Sequence, residues 1–559
     1  MPACAMCKSE FQITEADRVF LRKFEVPDPK LCPPCREQRR WSFRNERTLY
    51  PRTCDLCGKP MISMFAKDKP YRVYCPECFF LDKWNPVEFG REYNFSKPFF
   101  PQFKELLLAT PHMGRMANNN VNSEYVNGET DDKNCYLNFG GHWNEDCYYN
   151  TFAIKCREDV DNYWLWQSEL CYECNDTLSS YQCFYSQHLN ACRECWFCFD
   201  CKNSEYCFGS FNLRGAKYQI FNQQYTKEEY EKRVAELTNG FAVIEKTKTM
   251  AREHGLKRPR RFALNIQAED SLGNYITHCN NVKNSFNMED SENVRWTYIG
   301  GWLKECMDLT CVGRGEHSYE VQAAIFFANC MFTTYTFAQS SFLEYCYGCQ
   351  SSENLFGCVS VNKGKYMIMN KQYTPEEYRA LREKIIAHMK STGEYGEFFP
   401  HQLSLYGYNE TIANLYFPMT KEEVLARGWK WYDGAHGTFG KETLQPEAIP
   451  DRIEDVPETI TKEMLKCMEC SRNYTIIKPE LSFYRKNHLP IPRKCYECRH
   501  RARLALRNPH KLWHRSCQCT IAAHAHHASG RCPNEFETSY APERPETIFC
   551  EACFNSEVL

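Results

Sequence analysis

The residues best suited to chemistry in this chain are thiols set at metal-ligand spacing. Cys4, Cys7, Cys32 and Cys35 read Cys-x2-Cys, 24 residues, Cys-x2-Cys, with Arg36 following. Cys467, Cys470, Cys495 and Cys498 repeat that pattern 463 residues later, with Arg499 following. A Cys-x2-Cys knuckle holds two thiolates on one tight turn, and a second knuckle completes the tetrahedral set that zinc favours. A further set follows each: Cys54, Cys57, Cys75 and Cys78 near the start, and Cys517, Cys519, Cys550 and Cys553 near the end. In the last, Cys-x-Cys replaces one knuckle, and a 12-residue insertion carries His524, His526, His527 and Cys532, any of which could substitute for a thiolate. The expectation is about four structural zinc ions, one per set.

The two ends are copies of one module. Phe11 matches Tyr474, Ile13 matches Ile476, Phe20 matches Phe483, and Arg22-Lys23 matches Arg485-Lys486. The stretches from Cys4 to Arg36 and from Cys467 to Arg499 resemble the short zinc ribbons of bacterial proteins, catalogued as a zinc-ribbon domain family. The whole arrangement resembles bacterial proteins with such ribbons at both ends. That resemblance implies zinc binding and brings no activity with it.

Arginine-rich connectors join the paired sets. Aligning the copies superposes Arg36 on Arg499, Arg40 on Arg503, Arg44 on Arg507 and Arg52 on Arg515. The first three recur at every fourth residue, which sets them along one side of a helix. Such a row suits bidentate contact with phosphate, or pairing with nearby carboxylates. All eight arginines are candidate nucleic-acid contacts, and the two modules are expected to pack together as one composite basic head.

The elements between the ends must place these modules. Cys135, Cys147, Cys171, Cys183, Cys195 and Cys207 fall on a 12-residue grid from which only position 159, an Asp, is missing. Each is followed by an aromatic: Tyr136, Tyr148, Tyr172, Phe184, Trp196 and Phe208. A short fixed period of small and bulky residues predicts a solenoid. A second array follows: "FGGHWNEDC" ending at Cys147 parallels "IGGWLKEC" ending at Cys306, and "AKYQIFNQQYTKEEY" parallels "GKYMIMNKQYTPEEY". The aromatic and Cys-rich repeats, punctuated by Asn, Asp, Ser and Gly, favour strands, in coils of 12 or 24 residues. A 12-residue coil turns each Cys inward and its aromatic neighbour outward, where the ring could stack on bases or lie under other segments. Capping-box patterns at Thr226/Glu229, Thr374/Glu377 and Thr420/Glu423 predict helix starts.

The fold expected is mainly β: a duplicated Cys- and aromatic-rich β-solenoid flanked by paired zinc ribbons, with a few capping helices. Its parts are ribbons at 1–80, a wrapping linker at 81–130, solenoid halves at 131–265 and 266–395, a linker at 396–460, and ribbons at 461–559. The formal net charge of −2 conceals segregation: Glu124 to Arg214 carries 15 acidic and 6 basic side chains, whereas Phe483 to Arg515 carries 10 Lys or Arg and one acid. That pattern can steer a polyanion to one surface, or hold two parts of the chain together. No apolar run approaches the roughly 18 residues of a membrane span, and reduced thiols with no leader-like start point to the cytoplasm.

Cys192, Cys195, Cys198 and Cys201 recur at every third residue, which reads either as buried inert thiols or as part of a metal cluster. Glu158, Asp159 and Asp161 form an acidic knot that reads as a solvated turn or a cation site. Phosphate-loop, zinc-protease and serine-hydrolase motifs are missing from the sequence. The functional expectation is a zinc-binding, non-enzymatic scaffold that contacts RNA or a ribonucleoprotein through its arginine connectors. The alternatives are a protein-interaction scaffold using the acidic, aromatic solenoid face, and a metalloenzyme with a site on the solenoid.

Overall fold

The computed structural model describes residues 1–434, 437–522, 524, 526, 527 and 530–558. Helix and strand contribute 25% and 30% of the chain, so the architecture is mixed and not mainly β as its composition suggests. The difference lies in the ends and in the connecting segments, which are built from short helices and turns around the coils.

From Ala117 to Ile220 the chain runs as a continuous parallel ladder in which each pairing residue meets the one twelve ahead. Lys133 pairs with Glu145, Tyr136 with Tyr148, Phe139 with Thr151 and His142 with Ile154, one pair from each side of a four-sided turn. The backbone enters the left-handed region at every third position, as at Asn134, Leu137, Gly140 and Trp143, so each side is three residues long. Of the two coil lengths the sequence allows, the chain therefore adopts the shorter. A left-handed non-glycine residue costs roughly 1–2 kcal/mol. The ladder offsets that cost, because corner amides also bond to the preceding turn: Tyr149 N–H to Tyr136 O at 2.9 Å, and Asp161 N–H to Tyr148 O at 3.0 Å.

The second array is a nine-stranded sheet from Ile266–Glu269 to Lys371–Gln372, paired in chain order and parallel except at its last step. It keeps the offset of twelve at Val294↔Cys306 and slips to thirteen at Phe327↔Ser340. Its strands Leu272–Glu289 and Tyr298–Ala328 are too long to be straight; left-handed residues at Tyr275, His278, Asn281 and Asn284 fold the first of them around the coil.

One residue in three points into each coil, and in the first array these form a core of sulfur and small polar groups: Cys135, Cys147, Cys156, Cys171, Cys174, Cys183, Cys192, Cys195, Cys198, Cys201 and Cys207, with Ala153, Leu165 and Leu189. So narrow a section leaves inward amides with no strand partner, and inward side chains supply one. Asn138 Oδ1 accepts from Asn150 N–H at 3.0 Å, Asn150 Oδ1 from Asn162 N–H at 2.9 Å, and Ser186 Oγ from Cys198 N–H at 3.0 Å. The thiols also bond to the backbone: Cys174 Sγ lies 3.2 Å from Cys183 O, and Cys192 Sγ lies 3.2 Å from Cys201 O. Cys is therefore both small enough and polar enough for this core.

The aromatics that follow the cysteines turn outward, as the alternation requires, and other parts of the chain cover them. Tyr148, Tyr172 and Phe184 share a core with Ile476, Leu481, Phe483 and Tyr484 of the C-terminal module, while Phe208 packs with Tyr230 and Ile244. The helices Lys227–Leu237, Pro375–Thr392 and Lys421–Ala426 begin at Thr226, Thr374 and Thr420, each with its capping box closed. The irregular segment after Thr392 ties three cores together. Phe398, Phe399 and Tyr406 pack against the second array, Ile412, Val424 and Trp429 against Trp41, and Ile449, Val456 and Ile460 under the C-terminal module. No described helix is long and apolar enough to cross a membrane.

Candidate metal centres and their docking helices

The first three cysteine sets close as the spacing predicts. The sulfurs of Cys4, Cys7, Cys32 and Cys35, of Cys54, Cys57, Cys75 and Cys78, and of Cys467, Cys470, Cys495 and Cys498 each gather within 4.8 Å of one another. In every case the second cysteine is exposed and the other three are buried. The residue after the first knuckle bends left-handed, at Lys8, Gly58 and Ser471. Its amide closes the turn onto the first cysteine's carbonyl, as in Lys8 N–H to Cys4 O at 3.0 Å. The third cysteine caps a helix: Cys32 precedes Pro33–Trp41, Cys75 precedes Pro76–Phe79, and Cys495 precedes Tyr496–Ala505. Helix N-termini favour thiolate over thiol.

The sulfur spacing fits a metal and not a disulfide. Cys7 and Cys32 stand 3.7 Å apart and Cys470 and Cys495 3.6 Å. A tetrahedral zinc with bonds of about 2.3 Å sets its sulfurs about 3.8 Å apart, whereas a disulfide needs about 2.05 Å. The crowded sulfurs share protons unevenly. Hydrogen bonding with Cys35, and amide donors against the opposing burial, lower Cys32 to about 5; hydrogen bonding with Cys495 lowers Cys467 to about 4. Burial works against Cys54, yet amide donors at Cys57 and Cys75 bring it to about 7. Their neighbours Cys35, Cys75 and Cys495 are pushed up in exchange, and a divalent ion is what lets all four thiols of a set ionise together.

The fourth set differs from its expected membership. Cys517, Cys550 and Cys553 are joined by Cys532, and Cys519 sits in an adjoining group with His524, His527 and the same Cys553. The insertion thus contributes ligand candidates on both sides. Sequence reasoning named all of these residues but could not divide them between two groups, because the insertion's fold decides the division.

The arginine rows lie where a helix meets a coil. Arg36 and Arg40 are 2% and 0% exposed, and Arg499 and Arg503 are 4% and 2%. Arg36 pairs with Asp308 at 2.9 Å; Arg40 pairs with Asp308 at 3.2 Å and Glu320 at 2.8 Å; Arg39, which the sequence reading did not single out, joins Glu320 at 2.8 Å. At the other end Arg499 and Arg503 both reach Asp161 at 3.1 Å, and Arg507 takes Asp176 at 2.8 Å. Arg44 holds Glu46 at 2.7 Å and Arg52 holds Asp55 at 3.0 Å. Arg515, half-buried, donates to Ala541 O at 3.2 Å. The rows expected to face phosphate therefore bind the chain to itself, each end gripping the opposite array. Glu320 stands to Asp161 as Cys306 stands to Cys147, at the same offset along the chain, so the two docks are copies.

Asp308, Glu320 and Asp161 are fully buried, and their environments push them apart. Burial raises Asp161 to about 6 even beside Arg499 and Arg503. Burial also works on Glu320, but Arg39, Arg40 and Arg36 together hold it below its ordinary value. The acidic knot is taken up in the same way: Asp159 turns inward and accepts from Cys171 N–H at 2.6 Å, Glu158 pairs with Lys486, and Asp161 is the dock itself. It is therefore not a solvated turn. The two ends meet between the docks, where Arg47 reaches Glu497 at 3.3 Å and His510 reaches Glu37 at 2.8 Å.

No family model matches the chain, and no curated protein matches it. A solved structure described as a "putative acetyltransferase from Desulfovibrio desulfuricans G20" aligns at 8% identity, over 49% of this chain and 81% of its own, with a TM-score of 0.10. A likeness that low carries nothing over about fold or activity.

Proposed function

We propose that this chain is a non-enzymatic scaffold, a duplicated β-solenoid whose two ends are zinc ribbons folded around zinc and latched onto the coils by their arginine helices. The observation that carries this reading is that Arg36 and Arg40 at one end, and Arg499 and Arg503 at the other, pair with buried coil carboxylates. Their charge is spent on assembly, which leaves the solenoid's outer surface to meet a partner. Zinc is favoured among metals because all-thiolate tetrahedral sets suit it, and because modules this small need an ion to fold.

Within the scaffold reading, a protein partner is favoured over RNA. Trp302, Arg314 and Phe326 occupy one corner column at intervals of one coil, with the Arg314 guanidinium 5.4 Å from the Trp302 ring and 5.6 Å from Phe326. Trp302 and Phe326 are 45% and 44% exposed, and Trp143, the counterpart of Trp302 in the first array, is 53% exposed beneath Lys155. Trp, Arg and large aromatics are the residues that anchor protein interfaces. The test is crosslinking of the full chain in its own cells, with Trp302→Ala/Phe326→Ala as comparison. The reading expects protein crosslinks near residues 302–326 that survive ribonuclease and vanish in the variant. RNA crosslinked to the coils, or protein capture indifferent to the variant, would overturn it.

A further inference from the structure

We propose that the C-terminal cluster binds two metal ions joined through a single sulfur, that of Cys553. This rests on the metal-binding reading of the ends and goes beyond it in number and kind of site. Two ligand groups, Cys517/Cys532/Cys550/Cys553 and Cys519/His524/His527/Cys553, are each complete, each wholly buried, and share only that sulfur.

The separations match two tetrahedra meeting at one corner. Cys517 Sγ is 3.7 Å from Cys553 Sγ, and Cys532 Sγ is 3.9 Å from Cys550 Sγ, near the sulfur–sulfur edge of about 3.8 Å for zinc. In the second group Cys519 Sγ lies 3.5 Å from His524 Nδ1, and Cys553 Sγ lies 3.5 Å from His527 Nε2. Zinc bonds of about 2.3 Å to sulfur and 2.05 Å to nitrogen give a mixed edge of about 3.5 Å. Two different edge lengths are thus met by the matching pairs of atoms.

A second observation points to the same ion. His524 Nε2 is 2.9 Å from Glu557 Oε1, a carboxylate on the closing helix Glu551–Val558. Donating its Nε2–H there leaves the Nδ1 lone pair aimed at the group, the arrangement by which a carboxylate orients a metal-ligating histidine. His526 Nε2 stands 3.0 Å from Cys553 Sγ, within hydrogen-bond range of the shared sulfur. Charge also favours the pair. Five thiolates and two divalent ions sum to −1, less than the −2 of a four-thiolate site with one ion, so burying the cluster costs less desolvation.

Native mass spectrometry of the full chain, loaded with zinc, tests the number. Cys519→Ser/His527→Gln should bind one ion fewer than wild type, and Cys553→Ser two fewer. A double variant that keeps the wild-type count overturns the proposal. If that variant loses further ions by unfolding, the unmutated chain decides. Loaded with cobalt, two ions sharing a thiolate couple antiferromagnetically, so the spin count should fall short of the cobalt count by two ions' worth. A full spin count overturns the proposal and leaves metal binding at the ends intact; absence of any bound metal would overturn both.

Discussion

Replacing Arg40 with Met isolates what the arginine rows do. Arg40 is completely buried and its guanidinium meets Glu320 at 2.8 Å, Asp308 at 3.2 Å and Thr310 Oγ1 at 2.8 Å. Met keeps most of the volume, so the loss is mainly electrostatic: two carboxylates with no exposure remain, shared between Arg36 and Arg39. Removing one member of a buried ion network costs about 3–5 kcal/mol. That energy falls on the docking of the helix Pro33–Trp41, so it should appear as local opening and not as global melting. At 1.4 kcal/mol per tenfold, amides of residues 33–44 should exchange about 100- to 3000-fold faster in hydrogen-exchange mass spectrometry. Glu320→Gln alone should also loosen the helix, and the double variant should cost less than the sum by about 1–3 kcal/mol, because the two share one interaction. Exchange unchanged in Arg40→Met, or strict additivity, would refute the latch.

The remaining expectations follow from the coil core and the second dock. Cys183→Ser should fold with little loss, since the hydroxyl can reproduce the thiol's bonds to the neighbouring coil, whereas Cys183→Val should cost about 1–3 kcal/mol by orphaning them; equal melting of the two variants would contradict the hydrogen-bonding role. Asp161, raised to about 6 by burial, holds its proton more tightly folded than at an unfolded value of about 3.9. Its contribution is therefore greatest below about pH 4 and is lost as the pH rises through about 6. Compared with Asp161→Asn, wild type should lose roughly 2–3 kcal/mol of relative stability across that window; a relative gain would reverse the argument. Thr374→Ala should weaken the helix Pro375–Thr392 by about 1 kcal/mol, read as faster exchange of its first turn.

What was legible in the sequence was whatever short spacing controls. The Cys-x2-Cys pairs, the period of twelve and the capping boxes report on neighbours a few residues apart and have their expected local form; the fourfold arginine interval holds on a helix only for Arg36 and Arg40 and for Arg499 and Arg503, because the helices end at Trp41 and Ala505, before Arg44 and Arg507. What was not legible depends on which distant surfaces meet. Nothing around Asp308 or Glu320 marks them as receptors for arginines 268 to 281 residues earlier. A row of guanidinium groups looks the same whether its partner is phosphate or a buried carboxylate. The core thiols, expected only to fill space, also donate to backbone carbonyls of the coils, a demand that appears only once the coil is known to take the shorter of its two possible perimeters. The division of Cys519 and Cys532 between two groups likewise depends on the fold of an insertion without periodicity. The segment at 396–460 carried little pattern because each of its stretches packs against a different core.

The central claim, that the sulfurs at both ends hold metal while the interior thiols build the coil, is tested most directly by elemental analysis of the full chain purified without chelators, together with a count of free thiols. The account predicts at least four zinc ions per chain, with no disulfide within Cys4–Cys35, Cys54–Cys78, Cys467–Cys498 or Cys517–Cys553. Less than one zinc per chain, or disulfides joining those cysteines, would contradict it.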